Sequence, residues 1–260
     1  MSGGVGPTAG GGITLAPMGA PPAARPHHHH YHFSIRHVIA LGVAAVLAFS
    51  TTVPLSDIAF AVLLLPYLLF LAWFAFPQRQ AKANPAAPVA SAPADRLLVA
   101  VHMAVGFVVG AVLPALYILD GLRAGDTAGV AAAAPHAFLL SAQVFFEGIA
   151  AAWPGTFSLP VAAAVPVMCN ARRMFTASEW LREELLQERG DPPVAPWRVA
   201  AGRAVAAANL AFWGFNLFGF LLPFYLPKVL RRYYLGTDRE EDGEDQTRAA
   251  ANEGEGKKDS

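Results

Sequence analysis

The sequence is short of charge. Asp, Glu, Lys and Arg together make up 15% of its 260 residues, whereas 55% are hydrophobic. Soluble globular chains carry about 25% charged residues, so we expect much of this surface to face lipid. Acidic and basic residues are equal in number, 19 each, which leaves no net charge to attract nucleic acid. The composition therefore predicts an integral membrane protein whose partner is the lipid bilayer.

Cysteine and catalytic signatures are also scarce. Cys169 is the only cysteine, which excludes an intramolecular disulfide, a CxxC redox pair and a zinc site built from several thiolates. The sequence contains no HExxH, GxSxG or P-loop pattern and no cluster of acidic metal ligands. We therefore expect no enzymatic activity, no metal centre and no cofactor, and no substrate is indicated.

Both ends of the chain are poor in large apolar side chains. Residues 1–35 are rich in Gly, Ala, Pro and His, and residues 235–260 are charged, so both are predicted to be disordered tails. A histidine tract, 27–30, is either a metal-binding cluster or a low-complexity run. The region between the tails, 36–234, is predicted to be the transmembrane helical domain.

Long apolar runs fill that domain. Crossing about 30 Å of hydrocarbon takes about 20 apolar residues in a helix, and spans are predicted near residues 38–55, 58–76, 97–119, 130–153 and 205–226. The shorter run 157–171 contains two prolines and is either a sixth span or a re-entrant segment. A Thr176–Glu179 capping box predicts an amphipathic helix over 176–189. The predicted fold is thus an all-α bundle of five or six transmembrane helices plus one amphipathic interfacial helix.

The second half of the chain resembles a known family. The motifs are FSLPVAAAVPVMCNARRMFTASEWLREEL (157–185), GRAVAAANLAFWGFNLFGFLLPFYLPKVLRRYY (202–234) and the QVFFEG run that begins at Gln143. They are similar to plant multi-pass membrane proteins with no assigned activity, over roughly the C-terminal half. The resemblance implies a membrane location and a plant source, and it carries no catalytic residues.

Three polar residues of the fourth predicted span share one helix face. Gln143 and Glu147 follow His136 by 7 and 11 residues, which at about 100° per residue returns all three to within about 20° of one direction. Ionisable groups within a membrane are costly and often functional, so this face is a candidate polar binding or transport path. The alternative is structural: Gln143 bonds a neighbouring helix, while His136 and Glu147 reach towards opposite interfaces.

Two other patterns predict helix packing. Asn209 and Asn216 share a face of the last span, where amide side chains suit bonds between helices. Gly106 and Gly110 form a GxxxG motif that permits close backbone approach, either within the chain or between chains. We therefore expect other membrane proteins or a second copy of the chain as partners.

Basic residues give the orientation. Lys257 and Lys258 resemble a di-lysine retrieval signal, which predicts the endoplasmic reticulum or another endomembrane, with a cytosolic C-terminus. Six crossings also make the N-terminus cytosolic, but they leave Arg172, Arg173, Arg182 and Arg189 in a loop on the opposite side, against the positive-inside rule. Five crossings move that loop inside and the C-terminus outside. A hairpin in the last apolar stretch, at Gly214 or Gly219, would keep both basic regions inside.

Two function classes follow from these patterns. The first is a structural or accessory membrane protein that acts through helix–helix and docking interactions. The alternative is a small transporter or channel that uses the His136, Gln143 and Glu147 face.

Overall fold

The computed structural model describes residues 34–78, 93–186 and 195–235, with side chains omitted for 93–96. Helices make up nearly all of this part of the chain, and it contains no strand. The α-helices are α1 (Ile35–Phe49), α2 (Leu55–Phe70), α3 (Pro93–Phe107), α4 (Leu113–Ala124), α5 (Thr127–Ala152), α6 (Leu159–Leu186) and α7 (Pro196–Gly214). The histidine tract, Lys257 and Lys258, and nearly all of both predicted tails lie outside the described residues.

Three stretches have π-helical hydrogen bonding: Leu71–Ala75, Val108–Val112 and Phe215–Tyr225. The first continues α2, the second joins α3 to α4, and the third extends α7, whose helix then runs on to Leu235. Each of these long helices contains a proline, which removes a backbone donor and disturbs the regular α ladder. The described chain therefore forms six long helical segments.

Four of the six segments are long and apolar enough to cross a membrane: Leu55–Ala75, Leu97–Ala124, Thr127–Ala152 and Pro196–Leu235. The predicted number, five or six, is higher. α1 is apolar but has only 15 residues, because a turn at Ser50–Pro54 ends the helix before the predicted boundary at residue 55. α6 is long, but the charged side chains in its second half exclude it from the candidate membrane spans.

The two features predicted for residues 157–189 are one helix. α6 runs without a break from Leu159 to Leu186, and residues 187–194 lie outside the described part. Thr176 is buried within α6 and its Oγ1 donates to the Arg173 carbonyl 3.0 Å away. It therefore does not cap a helix N-terminus, and the prediction of a separate amphipathic helix was wrong.

Neighbouring segments run in opposite directions and meet at two ends. At one end, here called the Asp126 end, Arg198 at the start of α7 binds Asp126, which lies between α4 and α5. At the other, the Pro77 end, Gln78 after α2 donates to the Phe157 carbonyl before α6, and Tyr233 donates to the Pro77 carbonyl. The described part of the chain thus starts and finishes at the Pro77 end.

Helix α5 lies at the centre of the arrangement. It packs against α1, α4 and α6, while α7 packs against α6 and against Val108–Val112. Close approach depends on glycine: a Cβ on Gly148 would lie 2.5 Å from the His37 ring, and one on Gly202 would lie 2.5 Å from Glu184 Oε2. Helices α4 to α7 therefore surround a shared interior, which contains most of the buried polar groups.

Candidate functional site: the polar core

A set of buried polar and aromatic side chains lies between α5, α6 and α7. We call it the polar core. It consists of His136, Gln143, Asn170, Arg173, Asn209 and Trp213. His136, Asn170, Arg173 and Asn209 have no exposed surface. Buried polar groups are expensive without partners, so their hydrogen bonds show what this interior can do.

Pro114 explains the position of His136. In an α-helix the N–H of residue 114 would bond to the Gly110 carbonyl, but proline has no N–H. His136 Nε2 lies 3.2 Å from that oxygen instead. Because a carbonyl only accepts, Nε2 carries the proton and donates. His136 therefore replaces a missing backbone donor.

The surroundings of His136 are closed. Its ring centroid lies 5.8 Å from that of Trp180 and 6.4 Å from that of Trp213. Nδ1 is buried and has no hydrogen-bond partner among the described residues. The structure thus places His136 in an aromatic enclosure rather than on an open path.

Gln143 joins a buried cation to a carboxylate. Arg173 Nη2 donates to Gln143 Oε1 at 2.6 Å, and Gln143 Nε2 donates to Glu147 Oε1 at 2.7 Å. Glu147 is exposed, whereas Arg173 is completely buried. Of the three residues on the predicted face, the structure connects Gln143 and Glu147 directly, and His136 has a different partner.

Arg173 has donors to spare. Its guanidinium carbon lies 4.1 Å from the centroid of the Trp213 ring, an attractive cation–π geometry. Nε and Nη1 are buried and without a hydrogen-bond partner in the described chain. No carboxylate forms a salt bridge with Arg173 within these residues. This role of Arg173 was not predicted from the sequence, because a residue assigned to a loop could not be placed opposite Gln143.

The adjacent Arg172 is neutralised. Its Nε lies 2.6 Å from Asp57 Oδ1, and its Nη2 donates to Ser56 Oγ at 2.9 Å. Asp57 is fully buried at the start of α2. The prediction that Arg172 and Arg173 belong to a loop was wrong, because both lie in the middle of α6 and have partners on other helices.

The predicted packing residues have different roles. Asn216 Oδ1 lies 2.8 Å from His102 Nε2 and so links the α7 segment to α3. Asn209 instead bonds within its own helix: Nδ2 donates to the Val205 carbonyl and Oδ1 accepts from Trp213 Nε1. It fixes the tryptophan that lies beneath Arg173.

The GxxxG motif packs within the chain. A Cβ on Gly106 would lie 2.9 Å from the Phe212 ring, and one on Gly110 would collide with Trp213. Both aromatic rings belong to α7. Of the two arrangements that the motif allowed, the structure shows the one inside the chain.

A second polar cluster lies at the Asp126 end. Arg198 Nε and Nη1 bind Asp126 and Asp120 at 2.9 and 2.5 Å, and Nη2 donates to the Tyr117 carbonyl at 3.1 Å. Asp126 also caps α5 by accepting from the Gly129 N–H. The Gly125–Asp126 pair was a sequence signal for this cap, since Gly125 has φ 73° and ends α4.

Glu184 completes that cluster. It is buried, and its Oε1 accepts from Tyr117 Oη at 2.6 Å and from Trp180 Nε1 at 3.3 Å. Beside it, desolvation raises the pKa of Glu183, and the carboxylates of Glu179 and Glu184 raise it further. Salt bridges and hydrogen bonds to charged groups therefore connect α4, α5, α6 and α7 at this end of the bundle.

Metal-binding side chains are not gathered in the part of the chain that the structure describes, where no three His, Cys, Asp or Glu residues lie together. Cys169 is a buried free thiol.

Comparison with known proteins gives a family without an activity. Residues 33–234 match a family described as a domain of unknown function, DUF7733. The match extends beyond the C-terminal half to all six helical segments. No curated protein and no solved structure matches the chain.

Proposed function

We propose that this chain, which belongs to the DUF7733 family, is a multi-pass integral membrane protein with a structural or accessory role. Four helices with the length and composition of membrane spans support the location. Large apolar side chains remain exposed on the outer segments, among them Trp73, Phe74, Phe107, Phe218 and Phe224. These surfaces suit contact with lipid and with other membrane proteins, including a second copy of the chain.

The polar core, together with the second polar cluster at the Asp126 end, is the observation that carries this role. His136 replaces a backbone donor, Asn209 orients Trp213, and Arg198 and Glu184 bind neighbouring helices. These groups stabilise one arrangement of α4 to α7 and do not line a continuous path. A rigid core with an apolar exterior is what a scaffold for partner helices requires.

The distribution of basic residues supports a cytosolic Pro77 end. Exposed or half-buried basic side chains cluster there: Arg36, Lys228, Arg231 and Arg232. Arg79 and Lys82 belong to the segment that begins there. At the Asp126 end, Arg198 is buried between two aspartates, whereas Arg123, Arg182 and Arg203 are exposed. Arg172 and Arg173 lie within the bundle and are not loop charges, so among the described residues the violation of the positive-inside rule is reduced to those three exposed arginines.

Orientation can be tested by glycosylation. The chain has no natural N-x-S/T site, so an acceptor inserted within residues 187–194 or after Leu235 reports one side. We expect glycosylation of the first insertion and not of the second. The reverse pattern would refute the orientation. A cytosolic C-terminus, an endoplasmic-reticulum or other endomembrane location, and a plant source form part of this proposal.

The accessory role is tested by purification from native membranes in mild detergent after crosslinking through a photoreactive residue at Phe107 or Phe218. We expect a discrete crosslinked species, with a defined partner or a second copy. The matched control carries the same residue at buried Leu139, where crosslinks should stay within the chain. Crosslinks to lipid alone from both outer positions would contradict the proposal.

A transporter or channel is the second candidate, and one observation favours it: exposed Glu147 is connected through Gln143 to buried Arg173. Reconstituted vesicles test it. Ion flux that exceeds that of empty vesicles and is abolished by Glu147→Gln, but not by Glu179→Gln on the outside of α6, would replace the accessory role with transport.

A further inference from the structure

We infer that the Arg173 guanidinium holds a small inorganic anion of the chloride class inside the helix bundle. The inference goes beyond the accessory role and does not depend on it. It rests on a completely buried cation whose Nε and Nη1 have no hydrogen-bond partner within the described chain.

Two consecutive arginines show what is missing. Arg172 lies 2.6 Å from a carboxylate oxygen of Asp57 and also bonds Ser56. Arg173 is more deeply buried, yet its one hydrogen bond goes to the neutral amide of Gln143. A charge removed from water without a counter-charge is strongly destabilising. The position of Arg173 therefore calls for a negative group that its protein neighbours do not supply directly.

Water alone would answer only half of this need. Ordered water can satisfy the unused N–H groups, but it adds no negative charge beside the guanidinium. The carboxylate of Glu147 lies one amide further away and is exposed. An anion at Nε or Nη1 satisfies a donor and the charge together.

The surroundings limit the anion's size and direction of approach. One face of the guanidinium lies over Trp213 at 4.1 Å, and Nη2 is occupied by Gln143. Nε and Nη1 have no accessible surface, so any anion can reach them only if the surrounding side chains move apart. A monatomic halide requires the smallest displacement, whereas a phosphate or carboxylate ligand would require the helices to separate.

The experiment compares anions on the full-length chain in detergent at constant ionic strength. Thermal unfolding is followed in sodium gluconate and in increasing sodium chloride or bromide. We expect a saturable rise in Tm of about 5–10 °C when the halide reaches about a hundred times its Kd. No difference between gluconate and the halides would overturn the inference.

Neighbouring variants locate the site. Arg173→Gln should abolish the halide-dependent rise in Tm. Arg172→Gln is the matched control: it should lower Tm, because Asp57 loses its partner, but keep the rise. A rise that survives in Arg173→Gln would overturn the assignment.

A charge exchange covers the case in which Arg173→Gln fails to fold. The double variant Gln143→Glu with Glu147→Gln keeps the net charge and moves the carboxylate one hydrogen bond nearer to Arg173. We expect it to fold, with a higher Tm in gluconate and no halide-dependent rise. A halide-dependent rise as large as that of the unaltered chain would show that the anion binds elsewhere.

Discussion

The second polar cluster, in which Arg198 binds Asp120 and Asp126, gives the sharpest stability prediction. We call it the Arg198 cluster. Arg198→Met keeps most of the side-chain volume and removes three hydrogen bonds, two of them to carboxylates at 2.5 and 2.9 Å. Asp120 is 45% exposed and can be rehydrated, whereas Asp126 is 2% exposed and cannot. The cost should therefore come mainly from the Asp126 carboxylate, at about 3–5 kcal/mol, as for other broken buried ion pairs.

A double-mutant cycle tests that reasoning. Asp126→Asn removes the charge but keeps an N-cap acceptor for the Gly129 N–H. In the Arg198→Met background it should recover more than about 1.5 kcal/mol, although on its own it destabilises. The assay is reversible unfolding of the full-length chain in mixed detergent, at fixed halide concentration. Additive losses in the two single variants would refute the buried-pair explanation. Arg203→Met, which removes a bond to the Glu184 carbonyl, should cost less than Arg198→Met.

Three further predictions follow from the same interior. His136→Phe should lower the free energy of unfolding by about 1–3 kcal/mol, because the buried Gly110 carbonyl loses its donor. Pro114→Ala in that background should restore stability by providing a backbone N–H. No restoration in thermal unfolding would contradict the role given to Pro114. Gly202→Ala should lower the free energy of unfolding by about 1–3 kcal/mol, since the new Cβ would clash with Glu184 and the Tyr117 hydroxyl. The control Gly42→Ala places its Cβ where no atom lies within 4 Å, so it should be neutral or slightly stabilising. Cys169 should react with a maleimide only as the chain unfolds, because its thiol is buried; rapid modification in the folded state would show that α6 moves.

The all-helical fold could be predicted from the sequence, because apolar runs of sufficient length leave few alternatives to membrane-spanning helices. The predicted spans 97–119 and 130–153 nearly coincide with the observed segments Leu97–Ala124 and Thr127–Ala152, although residue 153 lies one position beyond the second helix. Interactions between residues far apart in the chain could not be predicted from the sequence. Asp57 and Arg172 are 115 positions apart, so Arg172 resembled a loop charge when only its neighbours were considered.

Local signals also misled where tertiary contacts decide. The Thr176–Glu179 pattern has the composition of a capping box, but a cap requires the chain to enter from a non-helical conformation. Residues from Leu159 onward are already helical, so the Thr176 hydroxyl bonds back to Arg173 instead. His136 lies on α5, but its contact with the Gly110 carbonyl depends on Pro114, which the residue spacing within α5 does not reveal.

The Arg198 cluster also constrains the order of assembly during synthesis. Asp126 caps α5 as soon as that helix forms, but Arg198 is 72 residues further along the chain. At about 5–20 residues per second the ribosome needs about 4–14 s to deliver it. Gly106 and Gly110 likewise cannot make their packing contacts until Phe212 and Trp213 have been synthesised. The first five segments must therefore remain incompletely packed, or be held by an insertion factor, until α7 emerges and closes the bundle.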